Sequence, residues 1–215
     1  METQGYGQHI QRQIQLWPIN KPITTMEVAV SLADAANIGI ENAKKVTNVN
    51  MGRLVKKGEL ARVKKGVYGK VRETPFGKLN PRPDEIMTSI LLRNGDKIIG
   101  YITGPTLLNA IGLSTQMPAD RHIATNRYRY RLPEDTRIRV YKPILVVNDD
   151  NAPYLQALEA IMAIEKYSVD TERPDEALRA MLRDRNLDNE RLIWYARCHC
   201  DQKTLLKTID IALGG

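Results

Sequence analysis

The chain is poor in the residues that metal sites, disulfides and membrane spans need. Its 215 residues include two cysteines and three histidines. Two cysteines exclude a disulfide scaffold and fit a reducing compartment. No stretch approaches the roughly 18 apolar residues of a membrane span. Residues 1–15 are polar and Gln-rich, without the apolar core of a signal peptide. A cytoplasmic protein with no membrane partner is therefore expected. With 14 Gly and 11 Pro the chain fits neither collagen nor disorder, and no internal repeat or low-complexity tract is visible. Apolar residues, at 42%, suffice for an ordinary core.

Catalytic signatures are missing as well. Gly95 and Gly100 have the spacing of a phosphate-cradling loop, but Tyr101 stands where that loop needs Lys. Gly5-Tyr6-Gly7 precedes any strand, so it is no dinucleotide fingerprint. Neither Gly-x-Ser-x-Gly nor His-Glu-x-x-His occurs, and His9, His122 and His199 are scattered. Cys198-His199-Cys200 resembles a metal cluster at first sight. On a helix the two cysteines would point about 200° apart, and no further Cys completes a set of four ligands. No catalytic residue, metal or cofactor is expected. Asp149-Asp150 is the best candidate if an acidic metal site exists, though a solvated turn explains it more simply.

What the sequence has is a concentrated positive charge. Residues 1–82 carry 14 basic and 6 acidic side chains, and residues 83–215 carry 18 and 19. Lys44 to Arg72 alone holds ten basic residues against Glu59. Such a field attracts a polyanion.

Its setting is a helix-turn-helix pattern. Gln8–Trp17 has Ile10, Ile14 and Trp17 at helical spacing and ends at Pro18. Thr25 can cap a second helix with Met26, Ala29, Val30, Ala33 and Ala36 on one face. After a short turn at Asn37 and Gly39, a third helix runs from about Glu41 to Lys57 and stops at Gly58. The 100° step places Ala43, Thr47, Asn50 and Leu54 inward, and Lys44, Lys45, Asn48, Gly52 and Lys56 outward. Leu60–Val63 and Val67–Val71 then read as a hairpin around Lys64-Lys65-Gly66. A hairpin directly after the third helix predicts a winged helix-turn-helix. Lys44, Lys45, Asn48 and Lys56 on the helix would meet a major groove of double-stranded DNA, and Arg62, Lys64 and Lys65 the adjacent backbone or minor groove.

Residues 74–82, with Thr74-Pro75 and Asn80-Pro81, read as a linker between a domain at 1–73 and a second at 83–215. The second mixes helices and strands and ends in a helical tail broken near Ser168, Asn186 and Asp201, so the fold class is α+β. Strands are expected over His122–Leu132 and Thr136–Tyr141. Arg127-Tyr128-Arg129-Tyr130-Arg131 would then put three arginines on one face, and Arg137 and Arg139 could join them. This is either a solvated face paired to acids of the tail, or a second anion-binding surface for DNA or an acidic protein.

Leu54-Val55-Lys56-Lys57-Gly58-Glu59-Leu60-Ala61-Arg62-Val63-Lys64-Lys65-Gly66-Val67-Tyr68 resembles the helix-to-wing passage of AbiEi-type antitoxins, transcriptional regulators of type IV toxin–antitoxin systems. Gly100-Tyr101-Ile102-Thr103-Gly104-Pro105, followed by Ala110 through Gln116, is similar to that family's next segment. The resemblance covers about residues 1–145. It implies a repressor that binds its own operator and acts as antitoxin to a nucleotidyltransferase-like toxin, with or without direct contact. The competing expectations are a winged-helix protein with a metal-dependent nuclease domain using Asp149 or Asp150, and a non-enzymatic protein-interaction module.

Overall fold

A computed structural model describes residues 2–214 as an α+β chain. It divides into two compact units, Met1–Ile90 with Leu132–Thr136, and Leu91–Arg131 with Arg137–Gly215. Among the described residues no helix is long and apolar enough to cross a membrane.

The first unit opens with α1 (Glu2–Leu16), β1 (Ile23–Thr24), α2 (Thr25–Ala36) and α3 (Ile40–Lys56). The N-cap of α2 is Thr24, one residue earlier than expected. Its hydroxyl accepts from the Glu27 backbone N–H while Glu27 accepts from the Thr24 N–H, a reciprocal capping box. Asn37, in the left-handed region at φ 50, ends α2. The strands β2 (Leu60–Lys64) and β3 (Val67–Lys70) follow, and β1-β3-β2 form one antiparallel sheet. Ile10 and Ile14 of α1, Leu32 of α2, Met51 and Leu54 of α3 and Leu60 of β2 share one buried core. Met51 takes the inward position expected of Asn50. The Asn50 amide donates to the Val46 carbonyl instead (2.9 Å), at the half-buried margin beside Gly7.

The stretch read as a linker holds a small hairpin, β4 (Arg72–Thr74) with β5 (Gly77–Leu79), before α4 (Pro83–Leu92). The first unit continues into α4 because Pro81 and Ile86 press against Gly69 of β3. A Cβ there would meet Pro81 Cγ at 2.5 Å and Ile86 Cδ1 at 3.2 Å.

The second unit has the hairpin β6 (Arg93–Asn94) and β7 (Lys97–Ile98), then β8 (Gly100–Ile102), α5 (Gly104–Ala110), β9 (Arg121–Thr125) and β10 (Ile138–Tyr141). β9 is central, antiparallel to β8 and parallel to β10. The tail forms α6 (Ala152–Lys166), α7 (Pro174–Asp184), α8 (Asn189–His199) and α9 (Gln202–Leu213). The aspartates Asp188 and Asp201 cap the last two by accepting from Arg191 N (2.6 Å) and Thr204 N (2.8 Å). Leu107 and Leu108 of α5 pack with Leu158 and Ile161 of α6, Leu182 of α7 and Leu192 of α8.

One carboxylate joins the sheet to this helical layer. Glu159 of α6 accepts from Thr103 Oγ1 (2.8 Å) and from Tyr101 Oη (3.4 Å). Burial raises its carboxyl above the ordinary 4.5, against the lowering effect of those two hydrogen bonds and of the Lys166 charge. A carboxyl raised in the folded state stabilises below its unfolded value and loses that contribution as pH rises through its folded value. Glu159→Gln, which has no charge to bury, should therefore gain stability relative to wild type as pH climbs above 4.5. Urea unfolding of both proteins from pH 4 to 8 checks this; a constant difference across that range would refute it.

Candidate nucleic-acid interface

The helix α3 carries two opposite stripes. Ala43, Thr47, Met51 and Leu54 are buried. Lys45, Asn48, Val49, Gly52 and Lys56 lie on the other side and are exposed. Val49 is 55% exposed, a large apolar side chain left facing solvent between polar neighbours. At Gly52 an added Cβ would meet nothing within 4 Å. Glycine in a helix interior costs about 0.5–1 kcal/mol relative to Ala, and no other described element packs against this position closely enough to require it. Its lack of a side chain leaves the backbone of α3 uncovered at this point.

The hairpin is held beside this stripe by the start of α2. Lys64 pairs with Val67 across β2 and β3, which leaves Lys65 and Gly66 as a two-residue tip with Gly66 at φ 78. The Thr25 backbone N–H donates to the Gly66 carbonyl (3.0 Å), and Thr25 Oγ1 donates to Asn48 Oδ1 (3.4 Å). Asn48, Thr25 and the hairpin tip thus form one continuous surface. Lys65 and Arg62 are exposed there, and Lys64 is half-buried. Lys44, expected to face outward, is half-buried and paired with Glu41 (2.8 Å). The Lys44 hydrogen bond and charge, with Lys45 adding, hold the Glu41 carboxyl below its ordinary range.

The basic run divides by role. Lys70 Nζ donates to the Gln15 (2.6 Å) and Trp17 (3.3 Å) carbonyls at the C-terminal end of α1. Arg72 donates to Asn20 Oδ1 (3.4 Å). Arg53, Lys56 and Lys57 instead line an open groove of about 760 Å³ with Gly7, Gln8 and Gln11 of α1. Sequence reasoning missed this groove, because residues 2–7 were not expected to be helical. The signal available was the 3–4 residue spacing of Arg53, Lys56 and Lys57.

The expected arginine strand does not form. β9 stops at Thr125, whose hydroxyl donates to the Leu91 carbonyl (2.6 Å). The following backbone donors enter turns, Tyr128 N to Thr125 O and Tyr130 N to Arg127 O. The Asn126 side chain exchanges two 2.8 Å hydrogen bonds with the Val147 backbone, which holds the chain out of the sheet. The arginines therefore share no face. Arg127 donates to Asn94 Oδ1 (2.8 Å), and Arg129 stacks 5.4 Å from the centre of the Tyr128 ring. Arg131 and Arg137 are exposed outside the strands. Arg139 alone lies on β10, paired with Asp120 (2.6 Å) rather than with an acid of the tail.

Asp149 accepts from the Ile98 backbone N–H (2.8 Å), and Asp150 is exposed beside it. Cys198 is exposed on α8. Cys200 ends the helix half-buried, its thiol pushed up to about 11 by burial and by the charges of Asp201 and Glu159. Among the described residues no three His, Cys, Asp or Glu side chains are grouped to hold a metal ion.

A family model described as "Family of unknown function (DUF6088)" matches residues 19–129, from ahead of β1 to beyond β9. No curated protein matches the chain.

Gly52→Ala should raise the stability of the fold by about 0.5–1 kcal/mol, since the new methyl has room and the helix gains propensity. Urea denaturation measures this. A loss of stability would mean that Gly52 serves the fold rather than a contact surface.

Proposed function

We propose that this chain, which belongs to the DUF6088 family of unknown function, binds duplex DNA through a winged helix-turn-helix in its first unit. The observation that carries the reading is a coincidence of charge and geometry. The densest positive stretch of the sequence, Lys44 to Arg72, falls on α3 and on the hairpin whose tip is bound beside it. The order α1-β1-α2-α3-β2-β3, with sheet order β1-β3-β2, supports the same reading.

In this function α3 is the recognition helix and lies in the major groove. Asn48 pairs with adenine, and Lys45 and Lys56 flank it. Gly52 lets the helix backbone come close to the duplex. Lys65 and Arg62 meet backbone phosphates, which set position without reading sequence. Lys44 can exchange Glu41 for a phosphate at little cost, because the Glu41 carboxylate is open to solvent and the pair is screened.

The resemblance of the helix-to-hairpin passage and of residues 100–116 to AbiEi-type antitoxins extends the proposal. The chain represses its own operon and serves as antitoxin to a nucleotidyltransferase-like toxin, with the second unit carrying the antitoxin function.

Affinity for a strong site, selected from random duplexes, and for an unrelated duplex across a salt series tests the DNA part. Arg62→Ala with Lys65→Ala should weaken both duplexes and flatten the log–log salt slope by about 1.8, at about 0.9 counterion per phosphate contact. Asn48→Ala should cost about 1–3 kcal/mol on the selected site and little on the other. Failure of the wild-type protein to bind either duplex at low salt would overturn the reading.

A further inference from the structure

The second unit has a half-open pocket of about 230 Å³ that the DNA-binding reading does not use, with an apolar wall of Met162 and Ala163 and several polar groups facing it. Four elements meet there. Beside Thr103, which joins β8 to α5, α5 brings Gly104, β9 brings His122, β10 brings Tyr141, and α6 brings Glu159.

These groups are ordered by one another. His122 is 8% exposed, with its Nδ1 2.9 Å from Tyr141 Oη and its ring stacked on the Tyr141 ring. Burial, and after it the Arg139 charge, hold its pKa below the ordinary 6.5, so the ring is mainly neutral at pH 7. With Arg139 at this edge lies Asp120, whose opposing effect is smaller. A neutral imidazole has one donor and one acceptor nitrogen, so Nδ1 and the Tyr141 hydroxyl pair in either tautomer. Gly104 sits at φ +56, and a Cβ there would come within 3.2 Å of His122 Nδ1 and 3.5 Å of Tyr167 Oη. A larger residue would fill the space over which these two polar atoms stand.

The charges around the cavity are unequal. Lys142 and Lys166 line it with their side chains exposed, against the single carboxylate of Glu159. The Lys166 charge reaches inward, acting on both Glu159 and His122. Thr103 and Tyr101 occupy two of about four acceptor positions on Glu159, which leaves the carboxylate able to accept more. A carboxylate, an imidazole and several hydroxyls arranged around open space cost desolvation that apolar packing would have avoided.

We propose that this cavity binds a small phosphomonoester that also carries a hydroxyl or amino group, with Lys142 and Lys166 holding the phosphate and Glu159 accepting from the donor. Two ammonium groups match a dianion, and a phosphomonoester carries about −1.5 to −2 at pH 7 where a carboxylate carries one charge. The volume lies below the ~300–1,000 Å³ of drug-sized sites, so the ligand is a small metabolite. The inference stands independently of DNA binding, because every group it uses belongs to the second unit.

Calorimetric titration of the full chain tests it with four probes: glycerol 3-phosphate, phosphoethanolamine, inorganic phosphate and glycerol. At least one ester should bind saturably, about tenfold or more tighter than inorganic phosphate, as one charge-assisted hydrogen bond allows. Glycerol alone should not bind. The two esters distinguish a hydroxyl donor from an amine donor. Lys142→Met with Lys166→Met, both at exposed positions, should lower ester affinity about tenfold or more. Glu159→Gln should narrow the ester's advantage over inorganic phosphate, because a neutral amide oxygen accepts more weakly than a carboxylate. No saturable binding by either ester up to about 10 mM overturns the proposal. So does ester binding that the double lysine variant leaves intact, or equal affinity for inorganic phosphate and both esters.

Discussion

The hydrogen bond from the Thr25 backbone N–H to the Gly66 carbonyl fixes the part of the first unit on which the candidate interface depends. It joins the first residue of α2 to the tip of the β2–β3 hairpin, and β1 extends the attachment by pairing with β3. The donor is one of the N–H groups that a helix start leaves without an intrahelical partner, so the contact satisfies a need of α2 while anchoring the hairpin. Gly66 must be at φ 78 to turn the chain there, a conformation glycine adopts without steric cost. Thr25 then spans from this tip to Asn48 on α3. A helix and a loop separated along the chain thus become one surface.

Around that surface the basic residues do different work although they carry the same charge. Lys70 satisfies carbonyls at the end of α1, and Lys44 pairs with its neighbour Glu41. Lys45, Lys56, Arg62 and Lys65 remain exposed. Those bound to backbone carbonyls inside the unit hold the scaffold, while those left in solvent shape the field outside it. Net charge alone cannot separate these roles, because each depends on which backbone groups lie within reach of a long side chain.

The second unit is organised around a polar node. Glu159 ties α6 to β8 and to the loop after it by two hydrogen bonds to hydroxyls. A buried carboxylate is tolerated where donors surround it, and Thr103 and Tyr101 supply them. The Thr103 hydroxyl would be an ordinary helix cap for α5, yet it makes no such bond and serves Glu159 instead. The cavity beside this node exists because Gly104 has no side chain and because His122 and Tyr141 are engaged with each other.

Local chemistry determined much of this protein. The spacing of Ile10 and Ile14, of Ala43, Thr47 and Leu54, and the glycine at the hairpin tip specify helices and a turn through steric and hydrophobic preferences that act over a few residues. The outward position of Lys45, Asn48, Gly52 and Lys56 followed from the helical repeat alone. Met51 displaced Asn50 because the buried face is set by what α1 and the sheet present, not by an ideal repeat. The alternation of Arg127 to Arg131 had the period of a strand, but the Thr125 hydroxyl and the Asn126 amide claimed the backbone partners and turned the chain away. The meeting of Thr103, His122, Tyr141 and Glu159 in one cavity could not be read from positions so far apart in the chain. Short-range preferences are written in neighbouring residues. Which distant polar groups satisfy one another is decided only when the sheet and the helices pack and remove water from both partners.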